Sequence, residues 1–594
     1  MGIHQLFLWL KGQHFIGSLK TQIPPNISGF YLDFPGIFYS AYHKVFPSGD
    51  ENKEFLKKQM KKSQTKIKEE IFEAIISELS TNFTAVRPGK KLFVGFDGSV
   101  PLAKMIQQRT RRYTREQNKD TPLETIAITP GTPFMHEAAE HIKSWLETNH
   151  RDLCEEIIFS PPSNPGEAEH KIFDYLRKPE NRDEGFNVIL GDDWDLLLIS
   201  LLSGIKRLFL MRNTLRHFID IDVVRESIRK LMNDSPTAIE DFAFIVLSAG
   251  GNDFLPKIES LKLMDISLDT LIYLYNTNNL PLTSEGGEQI LWENVTKYFK
   301  LVAEFEKEHL LPKIVFKKWI FPSELYRKSI EADFIEANNI LSKESRVVQK
   351  FDYNKFVNLR RQQNYKTLHG LTEKDKREII NYENEELSKL ILVPSNKDIE
   401  EDIENQCLQY LTTAAWIYRY FLKGQNAVNE TYYKYYFPPL AVDIFNFLSS
   451  HKDRLTEMKY KSEGHALPNL LFQLPIVIPS YYKSYVPNEM KILFGEQGGL
   501  SDLMPIKVKS LLEGEDKEHL SISLIPFPIL ENIFSSIIDK VILDNSHLNY
   551  FELSSDIIMK TVGLRKGLVI KDKDKKCPEM ILKPIFGKVK FVKI

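Results

Sequence analysis

Cysteine is nearly absent: Cys154, Cys407 and Cys577 are the only three in 594 residues. Thiols so few and so scattered build neither a disulfide framework nor a Cys-based zinc site, and they suit a reducing compartment. Long apolar runs are missing too. Met1 to Leu10 is apolar, but Gln5 interrupts it and Lys11 follows it without a small-residue cleavage site. No run reaches the ~18 apolar residues that a membrane-spanning helix needs. Nor is there an excess of one charge, since 78 Lys+Arg face 80 Asp+Glu. The chain therefore does not bind polyanions by bulk charge, and any such contact has to be local. No period of 20 to 50 residues stands out, which disfavours a solenoid. A soluble, unexported protein is expected.

What is present begins with length, enough for a large α/β core with a second lobe. Up to about residue 260, short apolar runs ending in polar turns alternate with longer amphipathic segments, the pattern of a mostly parallel sheet flanked by helices. The reading is an α/β core over 1–264, a helical, charge-dense connecting region over 265–398, and a helical, aromatic-rich region over 399–594. The last contains the run Tyr432, Tyr433, Tyr435, Tyr436 and Phe437, closed by Pro438 and Pro439. Beyond Val562 the tail reads as short strands or an extended arm.

Three predicted strands run directly into acids. Gly29 to Leu32 delivers Asp33, Lys91 to Phe96 delivers Asp97, and Asn187 to Leu190 delivers Asp193 and Asp195. In a parallel α/β sheet, functional groups gather at the carboxyl ends of strands. Extended backbone puts residues two apart on one face, which selects Asp193 and Asp195 over Asp192 and Trp194. The turn at Pro165 and Gly166 opens a helix over Glu169 to Arg177 and adds Glu167 and Glu169, while the glycine turn at Gly250 and Gly251 presents Asp253. Each acid taken alone is adequately explained as a cap, a turn residue or a solvated end. Seven converging on one crevice would repel one another severely, and the natural compensation is divalent metal held by oxygen ligands. Two Mg²⁺ or Mn²⁺ ions about 3.5–4 Å apart suit phosphodiester hydrolysis.

A basic helix starts seven residues after Asp97. At about 100° per residue, Lys104, Gln108, Arg111, Arg112 and Arg115 share an arc of roughly 100°. Arginine forks suit bidentate contacts to phosphate oxygens, with Lys as a point charge and Gln as a neutral donor.

With these residues in place the sequence resembles the XRN family of 5′→3′ exoribonucleases. The motifs that carry the resemblance are Met1 to Ile3, Tyr31 to Asp33, Asp97 to Met105, Thr129 to Thr132, Pro165 to Lys171, Gly191 to Leu196 and Gly251 to Pro256. Trp416 to Pro439 is more loosely similar to that family's second conserved region. The resemblance implies a PIN/FEN-like nuclease core. It also implies that Asp33, Asp97, Glu167, Glu169, Asp193, Asp195 and Asp253 are the metal-binding, catalytic acids, and that Lys104, Gln108, Arg111 and Arg112 form a 5′-monophosphate pocket.

The implied substrate is single-stranded RNA with a 5′-monophosphate, supplied by an upstream decapping or pyrophosphatase activity and degraded to mononucleotides. The alternatives are a FEN-like 5′-nuclease acting on DNA or flaps, and a catalytically silent RNA-binding scaffold. Departures from the family pattern are Pro35 in place of Asn, Tyr39 in place of a base-stacking His, and Val428 to Thr431 in place of a tryptophan-containing stretch. Tyr39 retains a ring that stacks on a base. A compact, divergent, monomeric member without the longer C-terminal domains is expected, in the cytoplasm by default, with nuclear or viral-factory location left open.

Overall fold

A computed structural model of the chain describes residues 24–47, 52–114, 121–212, 218–249, 252–258, 268–316, 353–369, 395–424, 432–456, 470–495, 556–562 and 567–572, with isolated positions between them. Strands β1 (Leu19–Lys20), β2 (Ile27–Asp33), β3 (Lys91–Gly95), β4 (Glu156–Ser160), β5 (Phe186–Leu190), β6 (Leu208–Met211) and β7 (Phe218–Asp220) belong to one nine-stranded sheet. β8 (Ser510–Leu511) and β9 (Ile522–Ser523) form a separate two-stranded pair. β10 (Ile557–Val562) and β11 (Gly567–Asp572) complete the large sheet, whose order is β1-β7-β6-β5-β2-β3-β4-β10-β11. Its middle, β6-β5-β2-β3-β4, is parallel, and antiparallel pairs close both sides.

The parallel strands are apolar because both faces are covered. Phe30, Leu32, Leu92 and Val94 join one buried cluster with helices Gln64–Val86 and Pro133–Leu153, while Tyr31 and Phe93 join the other. Period-two alternation thus feeds two cores, and the result is a three-layer α/β/α body. The second core also takes in Trp416, Tyr418 and Tyr420 from a helix far along the chain. Among the described residues no helix is long and apolar enough to cross a membrane.

The chain leaves β2 toward β3 and β4 on one side, and returns through β5 and β6 on the other. The carboxyl ends of β2 and β5 therefore flank a topological switch point, where loops diverge and open a crevice. The first helix, α1 (Phe34–Val45), starts immediately after Asp33 with Pro35 in its first turn. A first-turn proline costs nothing there, since its missing N–H would have no intrahelical partner. Beneath the crevice Phe34 stacks on Phe96 at 4.8 Å and Phe38 meets Phe96 edge-on at 5.5 Å. Each ring adjoins or follows an acid in sequence, so its burial fixes where the acid emerges.

The aromatic run is mostly core. Tyr432, Tyr433, Tyr435 and Phe437 are buried, with the Tyr433 hydroxyl accepting from Gln406 and the Tyr435 hydroxyl bonded to Asp402. Val428 to Thr431 and Arg115 lie outside the described residues, as do Met1 to Ile3, Gly250, Gly251 and all of 317–352 and 370–394.

One buried carboxylate ties the helix Ala238–Ser248 to the helix Leu268–Asn278 and to residues 282 and 283 beyond it. Asp241, fully buried, accepts from the hydroxyls of Thr237, Tyr275 and Thr283 and from the amides of Leu282 and Thr283. Removing the carboxylate leaves several buried donors unsatisfied, each at roughly 1–3 kcal/mol. Asp241→Ala is expected to destabilise the fold by about 3 kcal/mol or more, measured by denaturant unfolding; a loss below about 1 kcal/mol would show that water replaces the carboxylate.

Candidate metal centre

Two backbone devices bring separate loops to the crevice. At Gly98 an added Cβ would lie 2.0 Å from the carbonyl oxygen of Asn164, so only glycine permits this approach. The contact is locked by Gly98 N–H donating to Gly166 O (2.8 Å) and Gly166 N–H donating to Ser99 O (2.7 Å). Gly166 itself has φ 110°, a conformation that side chains oppose. The loop carrying Asp97 is thereby tied to the loop that opens helix α3 (Ala168–Arg177), whose N-cap is Glu167 and whose first turn holds Glu169. Ala168 N–H donates to Asp97 Oδ1 at 2.9 Å, placing that carboxylate at the positive end of the helix. Lys171, one turn on, donates to the carbonyls of Phe96 and Pro161, and burial pushes its pKa down to about 7.

Asp193 and Asp195 do come together, but not by strand alternation. β5 ends at Leu190, Trp194 is already in right-handed helical conformation, and Asp195 is the first residue of α4 (Asp195–Leu202). Asp193 Oδ1 accepts from Trp194 N–H at 2.8 Å. Asp192 turns instead toward Arg212, whose guanidinium stacks on the Trp194 ring at 4.1 Å. Asp253 sits within a turn in which Asn252 Oδ1 accepts from the amides of Phe254 and Leu255.

Six of the seven predicted acids form two groups, Asp33, Asp97 and Glu169, and Asp193, Asp195 and Asp253. Within each group one oxygen per residue lies within 4.8 Å of the others. The groups also feel each other. Burial, then Asp97 and Asp193, raises the Asp33 carboxyl well above the usual carboxylate range. Burial followed by Asp193 and Asp253 does the same to Asp195, and burial followed by Glu167 and Asp33 to Glu169. Burial also raises Asp97. Asp253 goes the other way: despite burial, Lys104 and Arg111 hold it low.

Glu167 belongs to neither group. Its Oε2 lies 2.6 Å from Lys104 Nζ, and its Oε1 accepts from the Tyr420 hydroxyl at 2.8 Å.

The basic helix, α2 (Leu102–Thr114), divides its cations. Lys104 is buried and reaches the acids, 3.3 Å from Asp253 Oδ2; burial opposes its charge, but Glu167 and Asp253 raise its pKa well above the usual lysine value. Arg111, about a third exposed, lies 2.8 Å from Asp253 Oδ1. Arg112 donates to Gln108 Oε1 at 3.4 Å, and burial lowers its pKa to about 10 although Tyr39 nearby opposes the fall. Tyr39 is 40% exposed. Arg109 takes no part in this face. It is buried and donates to the carbonyls of Ile476 and Leu503, tying α2 to the helix Leu470–Val477 and the loop beyond.

The structure is an α/β fold with an acid-lined crevice at the switch point of a mostly parallel sheet and arginines on the adjoining helix, an arrangement able to hold divalent cations beside an anion. The first 214 residues match the family model "XRN 5'-3' exonuclease N-terminus", over residues 1–123 and 114–214. The human protein named "5'-3' exoribonuclease 1" is 25% identical over 604 aligned residues, covering 89% of this chain and 33% of that protein. The Drosophila melanogaster "5'-3' exoribonuclease 2 homolog" is 22% identical, covering 86% of this chain and 66% of its own length. A solved structure titled "Crystal Structure of T5 D15 Protein Co-crystallized with Metal Ions" aligns at TM-score 0.25 and 11% identity, over 56% of this chain and 99% of that one, a likeness too slight to carry weight. The likeness to the XRN family model lies in residues 1–214, and the chain spans between a third and two thirds of the length of these relatives.

The raised carboxyls give a pH signature. A carboxyl whose pKa is higher folded than unfolded binds more protons in the folded state, so its contribution falls as pH rises from about 4 toward the folded value. In chelator, Asp195→Asn, which mimics the protonated acid, is expected to gain on the native chain by about 2 °C in Tm between pH 5 and pH 8. Millimolar Mn²⁺ should reverse that gain. A gap independent of both pH and metal would show that the crevice stores no repulsion.

Proposed function

We propose that the chain hydrolyses single-stranded RNA from a 5′-monophosphorylated end, releasing mononucleotides with the aid of two Mg²⁺ or Mn²⁺ ions. The observation that carries this reading is the pair of three-carboxylate groups beyond the carboxyl ends of the central strands, beside the arginine face of α2. The donor set fits hard divalent cations: it is all oxygen, and among the described cysteines neither Cys154 nor Cys407 stands among these acids. Asp195 Oδ1 is buried with no hydrogen-bond partner, a costly arrangement that a cation would relieve. Asp33, Asp97 and Glu169 would hold one ion, and Asp193, Asp195 and Asp253 the other. Bound there, such ions activate water and stabilise charge on the scissile phosphate and leaving oxygen.

The protein's own groups do the rest. Arg111, Arg112 and Gln108 present donors on one helix face for the terminal phosphate, with the charge of Lys104 fixed deeper between Glu167 and Asp253. Tyr39, on α1 beside Arg112, offers its exposed ring to the first base. A terminal phosphate held at the closed end of the crevice would place the first phosphodiester against the acids, which accounts for end dependence and for exclusion of bulky caps. The names of the relatives, 5'-3' exoribonucleases, support the same direction of attack.

Asp193→Asn and Asp195→Asn are each expected to lower hydrolysis at least ~100-fold while binding of 5′-phosphorylated RNA remains measurable; undiminished activity in both would overturn the reading. The double substitution Arg111→Ala and Arg112→Ala should erase the preference for 5′-phosphate over 5′-hydroxyl RNA. Both assays compare RNA with flapped DNA, with and without Mg²⁺, and faster cleavage of the flap would redirect the proposal to DNA.

A further inference from the structure

Tyr420 lies in the second half of the chain, on helix α5 (Asn396–Lys423), and no signal in the first 260 residues points to it. Its side chain is nonetheless buried against the acidic crevice, 253 residues from Glu167 in sequence, with its hydroxyl 2.8 Å from Glu167 Oε1. Apolar contacts hold the ring. Trp416, one helical turn back, stacks on it at 5.1 Å with the planes 12° apart, and the His170 ring lies 3.8 Å away on α3. Phe254, next to Asp253, meets it edge-on at 6.4 Å.

The end of α5 is fastened to the helix that carries the acids. Arg177, near the end of α3, donates to Phe421 O at 3.0 Å while paired with Asp174. Gly424 caps α5 with φ 70°, and a Cβ there would come within 2.2 Å of Asp174. The phenol is thus fixed relative to Glu167 by the helix terminus and by its own ring.

Glu167 has one oxygen on this phenol and the other on Lys104, and it is outside both three-carboxylate groups. With Lys104 Nζ at 2.6 Å, nearer than the 3.3 Å to Asp253, Glu167 is the carboxylate that seats the ammonium group.

We propose that Tyr420 is a positioning residue contributed to the nuclease centre by the second half of the chain, acting through Glu167 to fix the Lys104 ammonium between the two three-carboxylate groups, and that Glu167 serves as the seat of Lys104 and not as a metal ligand. The inference rests on the hydrolytic reading above for its kinetic consequence, but the hydrogen bond and the metal count are measurable without turnover.

Tyr420→Phe keeps the ring stack and removes only the hydroxyl. With 5′-phosphorylated RNA it is expected to lower kcat about tenfold with KM within about twofold, the size of one lost hydrogen bond to a charged group. Tyr420→Phe, Glu167→Gln and the double variant form a cycle measured both in kcat and in denaturant unfolding. Non-additive effects in both are expected, with Tyr420→Phe changing little once Glu167 is Gln; additive effects in either would overturn the relay. Calorimetric titration with Mn²⁺ in the absence of RNA should find two ions in Glu167→Gln, as in the native chain, and one in Asp195→Asn. Loss of an ion in Glu167→Gln would make it a ligand and overturn the assignment. A native chain that binds Mn²⁺ but leaves RNA intact would defeat the hydrolytic reading instead, and the unfolding cycle and the ion count would still judge Tyr420 and Glu167.

Discussion

Mutual repulsion among buried carboxylates is the constraint on which the rest of this structure depends. Asp33, Asp97, Glu169 and Asp195 each lie where burial and neighbouring acids favour the protonated form. Left to themselves they would spread apart or stay neutral. The fold denies them the first option by fixing each acid where an apolar element ends: Phe34 and Phe96 stack directly beneath Asp33 and Asp97, and the Gly98–Gly166 contact holds two loops together. What remains is compensation by positive charge, partly built in and partly to be imported.

The built-in part is Lys104 and Arg111, and their pairing with Asp253 explains why that acid alone among the six is held low. The basic helix therefore serves two faces at once. One turns cations toward the acids and toward the expected phosphate. The other sends Arg109 into the protein, where its donors meet the carbonyls of Ile476 and Leu503, and where Val100 N–H finds Gln473 Oε1 at 2.9 Å. Guanidinium groups on one helix thus do opposite jobs, and burial decides which. The second half of the chain supports the crevice from behind in this way, and through Tyr420 it enters it.

Much of this was legible in the sequence. Strands buried on both faces announce themselves as apolar runs, and Asp33 and Asp97 emerge where such runs stop. Asp193 and Asp195 do lie in one carboxylate group, but a helix start and not strand alternation brings them together. Pro35, a departure from the family pattern, falls in a first helical turn, where the fold accommodates it. The tyrosine-rich run, for which the sequence offered no role beyond a loose family likeness, is largely core, its hydroxyls spent on Gln406, Asp402 and backbone carbonyls.

Sequence by itself determined which residues carry charge at the ends of which elements, because apolar periodicity and turn chemistry are local properties. It could not determine that Glu167 would be saturated by Lys104 and Tyr420 while its neighbour Glu169 joined Asp33 and Asp97, since both glutamates stand on the same short turn. Nor could it separate Arg109 from Arg111, two positions apart on one helix. Those outcomes depend on what packs against each side chain from hundreds of residues away, and only the tertiary structure brings Trp416, Tyr420 and Ile476 to the faces where that choice is made.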